Sequence, residues 1–241
     1  MERFTRPSDL PFPTIYHKFS AKDKDNDEIV EYRIQDLLEE DYSKGIDMMA
    51  SEYCPEESFN KCRGVTDCPE AITEKLLFWR SIMNMKLSVG CYKGDELVGI
   101  CLFNVHVKNE KEAKFEIKTE HNRDILSIVQ YFKNLHDVYT KYNTDKYLTD
   151  FGMTTKKNYR HRGIAVEMLK ARANILKAFK MNVTSTIFTV IGSQKAAVKA
   201  NYEEILSVKW TDIAELFPNF DFSKADCEYC KIFDMKIEND S

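Results

Sequence analysis

Tyr159-Arg160-His161-Arg162-Gly163-Ile164-Ala165 joins a strand-like run at 147–155 to a stretch at 164–180 with apolar residues at helical intervals. The start of a helix presents main-chain N–H groups without partners and a partial positive charge, so such a turn suits a diphosphate. Gly163 lets the backbone approach a ligand, the small Ala165 leaves the first helical turn open, and Arg160 and Arg162 add positive charge. For His161 and Ile164 the backbone counts for more than the side chain. The turn lacks the Gly-x-x-x-x-Gly-Lys-Ser/Thr spacing of a triphosphate loop and the three glycines of a dinucleotide turn. An ordinary connection with solvated charges is the alternative on these residues alone.

Working outward, the β-branched run 183–191 reads as a strand, Ser193 as the cap of a short helix ending at Ala200, and 203–210 as another strand. Strand, helix, strand, helix, strand is the rhythm of a parallel segment. Upstream, 29–34 reads as a first strand and Asp36 as the cap of a helix to residue 53. A second helix is expected at 69–85, with Ile72, Leu76, Leu77 and Trp79 as its buried stripe. Residues 87–92 and 97–107 form a hairpin through Gly94-Asp95. A charged loop at 108–123 leads to a helix at 123–142 that carries His136 on its apolar face. Residues 227–237 make a last strand. The fold class is thus mixed α/β, a mostly antiparallel central sheet flanked by helices. Residues 1–28, rich in Pro, Asp and Lys, read as a solvated arm whose Phe12, Tyr16 and Phe19 pack on the body, and 29–241 as one domain.

A length of 241 residues with 43% hydrophobic and 31% charged residues describes a chain able to bury a substantial core. A net charge of -4 provides no global field for nucleic acid or an anionic membrane. No segment approaches the roughly 20 apolar residues of a membrane span, and the first residues form no apolar leader, so a cytoplasmic monomer is expected. Seven cysteines without framework spacing read as reduced thiols. Cys227 and Cys230 have no second pair to complete a zinc site, and no metal is expected.

Arg160-x-x-Gly163-x-Ala165 resembles the (Gln/Arg)-x-x-Gly-x-(Gly/Ala) signature of GNAT-superfamily acetyltransferases, and the order of elements from 29 to 237 is similar as well, which implies a mixed, mostly antiparallel sheet with a splayed parallel pair. In detail the chain resembles the insect arylalkylamine (dopamine) N-acetyltransferases. Residues 54–60, Cys-Pro-Glu-Glu-Ser-Phe-Asn, look like that family's Asp-Glu-Pro-Leu-Asn stretch, and Thr189 and Ser193 look like its two hydroxyl residues spaced i and i+4. Val208-Lys209-Trp210-Thr211-Asp212 is similar to the strand end that follows. Ser58 departs from the family's proline, Thr189 from its serine and Asn201 from its glycine, and no tyrosine holds the position that protonates the leaving thiolate in many GNAT enzymes.

The resemblance implies acetyl-CoA as co-substrate, bound by Arg160, His161, Arg162, Gly163, Ile164, Ala165 and Ser193. A backbone N–H near Met153, Thr154 and Thr155 would hold the acyl oxygen. It implies Glu57 as general base, with Thr189 and Ser193 in catalysis, acting on a small primary amine such as dopamine, tyramine, octopamine or serotonin. Polyamines or agmatine, protein N-termini or lysines, and a coenzyme-binding module without turnover are the alternatives. Without the resemblance, Glu56 and Glu57 read as two solvated loop carboxylates.

Overall fold

The computed structural model describes residues 3–26, 28–110 and 115–238. Part of the expected 108–123 loop, residues 111–114, lies outside them, as do Met1, Glu2 and Asp27 of the arm. One sheet contains β1 (Ile15–Lys22), β2 (Ile29–Asp36), β3 (Val89–Lys93), β4 (Glu96–Val107), β5 (Lys146–Thr155), β6 (Val183–Phe188), β7 (Glu203–Lys209) and β8 (Tyr229–Lys236). Their spatial order is β1-β2-β3-β4-β5-β6-β8-β7. Among the described residues only β5 and β6 run parallel, and they meet at a single register pair, Leu148 with Thr184. Past that point no further ladder pair joins the described residues of the two strands, as in strands that splay apart.

The helices are α1 (Tyr42–Met48), which continues as a π-helical turn (Met49–Tyr53), α2 (Ser58–Arg63), α3 (Pro69–Met83), α4 (Glu120–Leu135), α5 (Val138–Tyr142), α6 (Ile164–Ala178), α7 (Ile191–Lys199) and α8 (Trp210–Ile213). Residues 97–103 of β4 form a continuous buried run because both faces of the sheet are covered. Val98, Cys101, Phe103 and Val105 pack with Met168, Ala171 and Ile175 of α6. Leu97, Ile100 and Leu102 face α1 and α3 through Met48, Trp79 and Ile82.

Several expectations need correction. The arm holds β1, so the first regular element lies within residues 1–28; Tyr16 is buried, and Phe19 stacks on Tyr32 at 5.2 Å. Asp36 caps no helix: it ends β2, buried, and accepts from both Arg6 Nη atoms at 2.7 Å, Tyr16 Oη at 2.8 Å and the Thr14 amide at 2.7 Å. The chain before β1 is thereby pinned to the sheet edge. The strand-helix rhythm extends to β7, but the parallel segment is the single pair β5 and β6 that the resemblance implies, because β8 enters between β6 and β7 and is antiparallel to both. Periodicity carries no information about where a remote strand inserts. The expected 123–142 helix breaks at His136, which turns extended and bonds Asp234 through Nε2 at 2.6 Å. Leu77 is exposed rather than in the stripe of α3, where Ala71, Trp79, Ile82 and Met83 are buried.

Candidate active site

The loop between the π-helical turn and α2 bridges the mouth of the gap between β5 and β6. At its start, Tyr53 lays its ring on Gly152 of β5: a Cβ built on Gly152 meets Tyr53 Cζ at 2.8 Å and Met49 Cε at 2.7 Å. At its end, Glu57 reaches Thr189, the residue after β6, whose Oγ1 donates to Glu57 Oε1 at 2.6 Å. The two contacts are tied together by the Glu57 amide, which donates to the Tyr53 carbonyl at 2.9 Å.

Glu57 is 7% exposed, so the solvated reading fails for it and holds for Glu56, which is exposed. Glu57 is the N-cap of α2. Its Oε1 also accepts from the Phe59 amide at 3.0 Å, and Oε2 accepts from the Asn60 amide at 2.9 Å and Asn60 Nδ2 at 2.7 Å. Ser58, where the resemblance expects proline, donates its hydroxyl to the Thr189 carbonyl. The departure therefore ties the loop to the end of β6. Cys227 Sγ donates to the same carbonyl at 3.3 Å. Ser193 does not cap α7; Val190 is the N-cap, and Ser193 Oγ donates to the Val190 carbonyl at 2.8 Å. Glu57 and Thr189 are thus in contact, while Ser193 stands one turn away, half-buried.

The opened edge of β5 is defined by its main chain. The Lys156 amide donates to the Val98 carbonyl of β4 at 2.9 Å. Main-chain groups alternate sides along a strand, so those of Thr155 and Met153 point away from β4, into the gap. The Thr155 carbonyl accordingly accepts from Arg160 Nε at 3.1 Å. Beneath the gap, Arg172 of α6 substitutes for the missing ladder: it is fully buried, with Nη2 2.6 Å from Asp150 Oδ2 of β5 and Nη1 2.9 Å from Thr186 Oγ1 of β6.

At the turn, Gly163 has φ +81 and a Cβ there would meet nothing within 4 Å, so open space lies above the first N–H groups of α6. His161 also has positive φ and is exposed. Ile164 is buried against the core, and Ala165 packs near Leu169 and Phe188. The two arginines do not aim free charge at the turn. Arg160 Nη1 pairs with Glu56 at 2.7 Å and its Nη2 with Glu52 at 3.3 Å. Arg162 donates to the carbonyls of Asp23 at 3.0 Å, Lys24 at 2.9 Å and Arg160 at 2.7 Å. Any anion at this turn is met by main-chain donors.

No protein-family model matches the chain, and no curated protein matches it in sequence. Solved structures do. The mosquito protein designated arylalkylamine N-acetyltransferase 7, from Aedes aegypti, superposes with a TM-score of 0.92 at 26% identity, covering 98% of this chain and 100% of that one. Arylalkylamine N-acetyltransferase 2 of the same mosquito gives 0.74 at 17% identity, over 86% and 99%. A Drosophila melanogaster polyamine N-acetyltransferase gives 0.70 at 14% identity, over 86% and 100%. The sheet with its one parallel, diverging pair and the turn ahead of α6 are those of a GNAT-type N-acetyltransferase. Within that class the resemblance runs to the insect arylalkylamine N-acetyltransferases.

Proposed function

We propose that this chain transfers the acetyl group of acetyl-CoA to a small primary amine, with arylalkylamines as the first class to test. The observation that carries the reading is Glu57, a buried carboxylate in contact with the Thr189 hydroxyl across the mouth of the β5–β6 gap. The open space over Gly163 and the unpaired edge of β5 fit a long pantetheine-linked diphosphate. Bound there, acetyl-CoA supplies an activated acetyl thioester.

An ammonium cannot attack an acyl carbon, so the amine must first lose a proton. Thr189 Oγ1 takes it as its own proton passes to Glu57 Oε1, along the hydrogen bond already present. The amides of Met153 and Thr155 donate to the acyl oxygen as negative charge grows there. The amine's second proton passes to the departing sulfur as the amide forms, and Ser193, once its hydroxyl turns from the Val190 carbonyl, would donate a hydrogen bond to that sulfur. The half-buried aromatic side chains of Tyr53 and Phe151 supply apolar contact for an aryl group, with Trp79 packed behind Tyr53.

A second reading is favoured by the four hydrogen bonds to Glu57, which would suffice for a purely structural cap of α2. The test is thiol release from acetyl-CoA with dopamine, tyramine, spermidine and a peptide, in wild type and Glu57→Gln. Turnover with a small amine, falling about 10²- to 10⁴-fold in kcat in Glu57→Gln, is expected. Unchanged kcat in a folded but less stable variant leaves Glu57 as a cap only.

A further inference from the structure

Helix α3 turns one stripe toward the body, Ala71, Lys75, Trp79 and Ile82 at helical spacing. Ala71, Trp79 and Ile82 are buried, and Phe78 beside them meets Phe151 of β5 at 4.9 Å. Lys75 is the charged residue in this stripe. It is half-buried, its Nζ stands 5.8 Å from the centre of the Trp79 ring, and it makes no hydrogen bond or ion pair with any described residue. Trp79 in turn meets Tyr53 edge to face at 6.0 Å, and Tyr53 covers Gly152 at the mouth of the gap. The ammonium therefore stands beside Trp79, one ring removed from Tyr53.

The nearby carboxylates are committed elsewhere. Glu74 accepts from Thr119 Oγ1 at 2.6 Å and Asn122 Nδ2 at 2.7 Å. Glu57 is held by its own donors and by Thr189. Burial lowers the pKa of Lys75 below the ordinary lysine value, against the pull of Cys54, Glu57 and Glu74. A half-buried cation with no ionic partner loses part of its hydration without full compensation, and helix stripes normally exclude it.

We propose that the acceptor carries a carboxylate as well as its amine, and that Lys75 is the counter-ion for that carboxylate. The inference rests on the transferase reading above. With the nitrogen at Thr189 and Glu57 and the carboxylate at Lys75, the half-buried Tyr53 borders the path between them, backed by the buried Trp79. An acceptor with a second cationic group would set that group against the ammonium, which selects against polyamines and agmatine.

The experiment compares matched acceptors in the thiol-release assay: tyramine with tyrosine, butylamine with 4-aminobutyrate, and spermidine. Wild type, Lys75→Met and Lys75→Arg are each measured. At least one acid is expected to exceed its matched amine in kcat/KM by about tenfold or more, mainly through KM, the scale of one charge-assisted hydrogen bond. Lys75→Met, which puts an apolar chain of similar length into an apolar stripe, should abolish that preference, and Lys75→Arg should retain it. If amines are acetylated while neither acid is preferred, or if Lys75→Met keeps the preference, the inference is overturned. Absence of thiol release with every acceptor overturns the transferase reading itself.

Discussion

Glu57 and Thr189 share one hydrogen bond, and substitution can separate what each contributes. Thr189→Ser keeps the hydroxyl and is expected to retain kcat within a few fold, whereas Thr189→Val removes the donor to Oε1 and should lower kcat about 10²-fold or more. Steady-state kinetics of the pair checks this, and equal kcat in both would remove Thr189 from the proton path. Two glycines make a second contrast. Gly152 has φ +136 and a Cβ there would overlap Met49 and Tyr53, so Gly152→Ala should cost about 2–5 kcal/mol in urea denaturation. Gly163 has φ +81 but open space, so Gly163→Ala should cost only about 1 kcal/mol while weakening acetyl-CoA binding. Glu57 stood out in the sequence only through the resemblance of residues 54–60, since the residues alone read it as a solvated carboxylate, which its burial corrects. Lys75 was less legible: helical spacing alone allowed a stripe through Leu77, and only the packing of α3 shows that Lys75 faces inward.

Between elements, the diverging pair β5 and β6 is held by side chains where the ladder ends. Burial by itself depresses the Arg172 guanidinium pKa, but Asp150 beside it more than reverses this, so the pKa is raised. Arg172→Met leaves Asp150 buried without its partner and should cost about 3–5 kcal/mol. The double variant Arg172→Met with Asp150→Asn should recover part of that loss, since the uncompensated charge is gone. Denaturation of both variants tests the point, and additive losses would show that the two residues are not coupled. The antiparallel hairpin and the strand-turn-helix around Gly163 were readable from alternation and turn residues. The position of β8 and the strand inside the arm were not, because pairing between distant segments depends on edges that exist only after folding.

Across the whole molecule, the chain before β1 is closed onto the sheet by Arg6 and Asp36, and α6 is closed onto β1 by His17 Nε2 and Glu167 Oε2 at 2.8 Å. Acid should loosen the assembly at an identifiable site. His106 of β4 has a buried Nε2 without a hydrogen-bond partner among the described residues, and burial first, then Lys133, pushes its pKa down to about 3. The unfolded chain therefore binds a proton that the folded chain does not. This stability is fully present above about pH 6.5 and declines by about 1.4 kcal/mol per unit as pH falls toward the folded value. Between pH 7 and 5, wild type should lose about 2 kcal/mol more than His106→Gln, and an equal loss in both would contradict the assignment. The central claim concerns the reaction that this closed body supports. Incubation with acetyl-CoA labelled with ¹³C in the acetyl carbonyl and a primary amine, followed by mass spectrometry, reads it directly. Label on the amine nitrogen in equal amount to released coenzyme A thiol is the predicted result; bound coenzyme with label in no amine product would contradict it.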